Sequence, residues 1–129
     1  MPAVRYGFLA FSAGMTPRID GELTARGTVG VDFSAEEARS AAHLAAANAL
    51  SAVAHAAGGL GNVDRCLKLT VYIACTAAFT QHSAVADGAS EALAEWLGDR
   101  GAAARAAIGV ASLPSGAPVE VELVAAIRQ

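Results

Sequence analysis

Apolar and polar positions change period several times along the chain, and those changes mark out its elements. Residues 6–11 are short, apolar and rich in aromatics, which predicts a strand. Asp20-Gly21 is a hairpin-type turn signal, because glycine accepts the positive φ such turns require. Residues 28–33 are too few to assign. Ser34 then opens a helix, with Glu37 placed three residues on to complete a capping box. The helix is expected to run to Ala57 and stop at Gly58-Gly59. Ala38, Ala42, Ala45, Ala49, Val53 and Ala56 share one face of it, and Glu36, Ser40, His43, Ser51 and His55 the other. Leu44 and Leu50 fall nearer the polar side, so one flank should meet a neighbour.

Further along, Leu67, Leu69, Val71 and Ile73 alternate with Lys68, Thr70, Tyr72 and Ala74, predicting a half-buried strand. A second helix is expected over residues 79–97, with Val85, Ala89, Leu93 and Trp96 on one face and Gly98 as its stop. Residues 105–111 and 119–127 are two more strands. In the last, Val119, Val121, Leu123, Ala125 and Ile127 lie on one side. Between them sits the breaker-rich turn Leu113-Pro114-Ser115-Gly116-Ala117-Pro118. The order of strands, helix, strand, helix and two strands suits one α+β domain over residues 1–129, with two helices on one face of a sheet. No repeat, linker or low-complexity tail interrupts it.

Composition narrows the function classes. Hydrophobic residues make up 54% of the 129 positions and mean hydropathy is +0.42. The excess is mostly alanine, and no run approaches the roughly 18 apolar residues of a spanning helix. The N-terminus lacks the apolar stretch of a signal peptide, so a cytoplasmic protein without membrane attachment is expected. Net charge is −3 with scattered basic residues, and Lys68 is the only lysine; this is no footprint for nucleic acid. Cys66 and Cys75 fit neither a disulfide framework nor a zinc pattern and read as small core residues. So apolar a chain of this size also leaves apolar surface uncovered, which favours self-association.

Two places could carry chemistry. Arg105 shares a strand face with Ala107 and Gly109, so its guanidinium has room beside it to grip a carboxylate with two parallel hydrogen bonds. An ordinary surface arginine fits the same pattern. Glu120 and Glu122 alternate with valines on the last strand; one of them could hold or deprotonate a water. By pattern alone, a solvated strand face or a salt bridge to Arg105 is the commoner meaning of such a pair. His43, His55 and His82 show no ligand spacing and no nucleophile partner. There is no nucleophile elbow, Walker loop or dinucleotide fingerprint.

The segment from Ala104 through Arg105 to Leu113-Pro114, followed by Val119-Glu120-Val121-Glu122, resembles the C-terminal signature of the RidA/YjgF family. Ser12-Ala13-Gly14, Gly27-x-Val29-Gly30, Asn48-Ala49-Leu50, and Gly61-Asn62-Val63-Asp64 leading to Lys68-Leu69-Thr70-Val71 agree in order, so the resemblance spans nearly the whole chain. It is nearest the branch with an Asn/Asp-Gly-Ala-Ser run, here Asp87-Gly88-Ala89-Ser90. The resemblance implies a chorismate-mutase-like sandwich with a mixed sheet, assembled as a homotrimer with sites in the clefts between subunits. It also implies hydrolysis of 2-imino or 2-enamino acids to 2-oxo acids and ammonia, with no metal and no organic cofactor. Arg105 would grip the substrate carboxylate, Glu120 would position or activate water, Gly14 would line the pocket through its backbone, and Asp87 would lie beside the substrate. The chain departs from the family in having Ala13-Gly14-Met15 where Ser-Gly-Gln is usual, and Asp87 where asparagine is common. The match begins abruptly inside a family segment, which predicts a native start upstream of Met1. Two rivals stand beside deamination: a different carboxylate-directed reaction in the same pocket, and a non-catalytic protein that binds small carboxylates.

Overall fold

The computed structural model describes residues 1–128. Its strands are β1 (Ala3–Tyr6), β2 (Leu9–Ser12), β3 (Arg18–Ile19), β4 (Glu22–Leu23), β5 (Val63–Ala74), β6 (Ala104–Val110) and β7 (Val119–Ile127). The helices are α1 (Ala35–Ala57) and α2 (His82–Leu97). Five strands form one sheet in the order β1-β2-β7-β5-β6, and β3 and β4 make a separate hairpin. Among the described strand pairs of this sheet β5 and β6 run parallel and the others antiparallel, so the sheet is mixed. Both helices cover the same face and pack on each other, α1 over β7 and β2 and α2 over β5 and β6. This is the expected α+β sandwich.

Local chemistry accounts for most of the frame. Ser34 Oγ accepts the Glu37 N–H at 3.1 Å and the Glu37 carboxylate accepts the Ser34 N–H at 3.0 Å, closing the capping box of α1. Gly58 ends α1 at φ 88°. The alanines at 38, 42, 45 and 49 are buried, which lets the helix lie close on the sheet. The two helices meet at Gly88, where a Cβ would strike the Arg39 carbonyl oxygen. Asp20 and Gly21 both take positive φ, 52° and 81°, between β3 and β4.

Several expectations are corrected. The single strand at 6–11 is instead a hairpin: Tyr6 pairs with Leu9, and Gly7, at φ 60°, turns the chain between β1 and β2. Leu67 is 37% exposed and Cys66 fully buried, because a register shift between Cys66 and Lys68 reverses the alternation at the start of β5. The second helix begins at His82; the preceding residues form a turn closed by the Phe79 N–H on the Thr76 carbonyl. Trp96 is 61% exposed, since Leu97, four residues after Leu93, takes the inward position. Ala56 is half-buried, with Ala57 inward in its place.

Among the described residues, the opposite face of the sheet carries no helix. On β7, Val119, Val121, Leu123, Ala125 and Ile127 are buried under the helices, while Glu120, Glu122, Val124 and Ala126 point the other way. The register extends this open face sideways, placing Tyr72 opposite Glu120, Ile108 opposite Tyr72, and Phe11 opposite Val124. Ile108, Phe11 and Val4 are each more than a third exposed on it. No helix among the described residues is long and apolar enough to cross a membrane.

Candidate functional site

Arg105 lies near the start of the edge strand β6, directly opposite the buried Leu69. That register turns its side chain to the helix face, where α2 carries Asp87 and Ser90 three residues apart on one flank. The Arg105 Nη1 donates to Asp87 Oδ1 at 2.8 Å and to Ser90 Oγ at 3.0 Å. The Arg105 side chain is 26% exposed and that of Asp87 49%. Nη1 is thereby saturated, while Nε and Nη2 make no hydrogen bond within the described chain and present two parallel N–H groups on one edge. The room expected beside Gly109 is occupied: a Cβ there would lie 2.7 Å from His82 Nε2 and 3.0 Å from Cys75 Sγ.

Glu120 occupies the open face. Its carboxylate sits against the backbone of Gly14, where a Cβ would fall 2.6 Å from the carboxylate carbon. Two anchors hold that backbone on β7. Ser12 Oγ accepts the Leu123 N–H at 2.9 Å, and Met15 exchanges two backbone hydrogen bonds with Val121, each 2.8 Å. Asn48 Nδ2 donates to the Thr16 and Arg18 carbonyls at 3.0 Å, tying the following loop to α1. Partial burial, and then the Glu122 charge, raise the Glu120 carboxyl above its ordinary range. The Tyr72 hydroxyl donates to Glu122 Oε1 at 2.8 Å; that bond and burial push the phenol pKa up.

The structure therefore brings Arg105 to Asp87 and Gly14 to Glu120, but holds the two pairs on opposite faces of the sheet. A salt bridge between Arg105 and Glu120 within one chain, open on sequence grounds, does not form. The contacts of Ser90 and Tyr72 add two residues to the site that their sequence patterns do not mark as such, although Ser90 follows Asp87 at helical spacing. The approach of His82 Nε2 to Cys75 Sγ at 3.6 Å is likewise unmarked in the sequence. Burial raises the thiol pKa of Cys75, and that of Cys66 to about 11, which keeps both protonated near neutrality. Among the described residues no group of three or more histidine, cysteine or acidic side chains is placed to hold a metal. A surface concavity of about 990 Å³ lies between β1, the β3–β4 hairpin and the outer side of α1, and includes none of Arg105, Asp87, Gly14 or Glu120.

Residues 2–127 match the family described as "YjgF/chorismate mutase-like, putative endoribonuclease". Protein TCP17 of Trypanosoma cruzi is 35% identical over 128 residues, covering 94% of this chain and 80% of that protein. The crystal structure of Atu1372 from Agrobacterium tumefaciens, described as of unknown function, superposes with a TM-score of 0.96 at 36% identity, covering all of this chain and 83% of that one. A Shewanella oneidensis MR-1 structure, described in the same endoribonuclease terms, gives 0.94 at 26% identity, covering 98% and 84%.

Proposed function

The chain belongs to the YjgF/chorismate mutase-like family, and from that premise we propose that it hydrolyses reactive 2-imino and 2-enamino acids to 2-oxo acids and ammonia, in clefts between the subunits of a homotrimer. The observation that carries this reading is the separation of two complementary half-sites. Arg105 keeps one free edge for a carboxylate, on a strand at the border of the sheet. Glu120, its acidity weakened by burial, stands on the uncovered face. One copy cannot close both around a small molecule; two copies meeting at the border strand and the open face can. The apolar side chains on that face, Val4, Phe11 and Ile108, favour its burial against another copy.

In such a cleft Arg105 holds the substrate carboxylate through Nε and Nη2. Glu120 accepts a proton from water as its oxygen bonds to the imine carbon, and the C=N electron pair moves to nitrogen. That nitrogen receives the proton held by Glu120, giving a carbinolamine; Glu120 then carries the carbinol hydroxyl proton to nitrogen as the oxygen closes the C=O bond and the C–N bond breaks, and ammonia and the 2-oxo acid leave. An enamine enters the same path after protonation at carbon. A carboxylate with a raised pKa is a better base for this step than an ordinary one. The endoribonuclease description of the family is the weaker guide here, because net charge is −3 and the open face carries two glutamates that repel phosphate. Ala13 and Met15, in place of the hydroxyl and amide usual in the family, favour one rival, a protein that binds 2-oxo acids without turnover.

The test is release of 2-oxo acid from 2-iminopropionate generated in situ, with no protein, wild type or Arg105→Ala, alongside light scattering. A trimer that accelerates release, and a variant slower by about two orders of magnitude, are expected from the loss of roughly 2–3 kcal/mol of charge-assisted hydrogen bonding. An intact trimer that binds the oxo acid but gives no acceleration would move the assignment to the binding role.

A further inference from the structure

We infer that Asp87 makes the Arg105 half-site selective for zwitterions, carboxylates bearing a protonated nitrogen close by, over simple monoanions; the inference rests on Arg105 being the carboxylate grip. A guanidinium can meet a carboxylate end-on, through its two terminal nitrogens, or side-on, through Nε and Nη2. The end-on edge is closed, because both Nη1 protons are committed, one to Asp87 and one to Ser90. A ligand carboxylate is left the side-on edge of an arginine whose charge Asp87 already balances. It gains two directed hydrogen bonds but little net attraction. Asp87 Oδ2 makes no bond within the described chain, and the Asp87 side chain is half exposed at the mouth of the half-site, so its negative charge acts on whatever enters. A ligand that brings its own cationic N–H offsets that charge; a monoanion does not. An uncharged asparagine would leave the arginine fully cationic.

The size of the effect follows from Coulomb's law. A unit charge roughly 6 Å from a ligand charge, at an effective dielectric constant between about 40 and 80, changes affinity about three- to tenfold. L-Alanine and pyruvate separate this term cleanly, since they share a carboxylate on a three-carbon frame and differ in the ammonium group. Calorimetric titration of each into the assembled protein compares wild type, Asp87→Asn and Ser90→Ala. The alanine-to-pyruvate affinity ratio is expected to fall about three- to tenfold in Asp87→Asn, mostly through tighter pyruvate, and to stay at the wild-type value in Ser90→Ala, which keeps the charge. Both probes binding with an unchanged ratio in Asp87→Asn would overturn the inference and leave the carboxylate grip standing. If neither probe bound wild type or Asp87→Asn, the grip itself would fail, and this inference with it.

Discussion

Gly14→Ala separates the proposed water-activating carboxylate from the fold that carries it. Gly14 does not take a positive φ, so alanine meets no backbone penalty there. What it meets is Glu120: the new Cβ would lie 2.6 Å from the carboxylate carbon and 3.1 Å from Cγ. Ordinary contact needs roughly 3.5–4 Å between carbons, so the carboxylate must retreat by about 1 Å. The end of a glutamate swings at little cost, and replacing glycine restricts the unfolded chain by about 0.4–1 kcal/mol in alanine's favour. Stability should therefore stay within about 1 kcal/mol of wild type. Catalysis should not, because a displacement of about 1 Å of a reacting group costs on the order of a hundredfold. The variant is expected to melt within a few degrees of wild type and to show kcat for 2-iminopropionate lower by about two orders of magnitude. KM should change little, since the proposed carboxylate grip lies at Arg105. Turnover within threefold of wild type would show that Glu120 need not stand where Gly14 leaves room for it, and would refute its assignment as the group that handles water.

Gly88→Ala tests the close approach of the helices: the new Cβ collides with the Arg39 carbonyl oxygen, and backbone cannot swing aside. Overpacking of about 1–3 kcal/mol exceeds the gain of about 1 kcal/mol in helix propensity, so thermal melting should fall by several degrees, and an unchanged or higher midpoint would contradict the packing. Glu120→Gln should abolish turnover yet stabilise the protein near neutral pH. Because the folded state raises the Glu120 pKa, the native carboxylate binds its proton more tightly than the unfolded one, and wild-type stability falls as pH rises from the ordinary glutamate value through the raised one. The stabilisation by glutamine should thus be present above that window and vanish below about pH 4, read by denaturant titration; a difference that stayed constant with pH would refute it.

Within single elements the sequence was a good guide, because the information there is local. Ser34 and Glu37 announce the start of α1 through groups that bond each other, and the valines of β7 report its buried side by strict alternation. Legibility was lost where geometry depends on a neighbour. Leu67 looks like a core residue until the register shift with β7 turns it outward, and nothing in residues 63–68 marks that shift. Trp96 lies at the edge of the apolar arc of α2, and only the packed sheet decides that Leu97 goes inward. Gly7 is a local signal of the β1–β2 turn, since a glycine inside an apolar run can be the turn of a hairpin.

The candidate site divides along the same line. Arg105 and Glu120 could each be singled out from their own strand, but whether they share a face is a property of β5, which pairs with both β6 and β7. Through that strand Arg105 is in phase with Leu69, and Glu120 with Tyr72. An odd and an even position of one strand point to opposite faces, so the separation follows from two pairings no single strand contains. Its consequence bears on function. A helix-side residue on a central strand would be sealed beneath α1 or α2, whereas β6 is a border strand and leaves Arg105 26% exposed at the rim. The open face beneath β7 likewise offers Glu120 to whatever covers it. Assembly, in the proposed trimer, would then be a condition of catalysis, and dissociation should abolish turnover while leaving each chain folded.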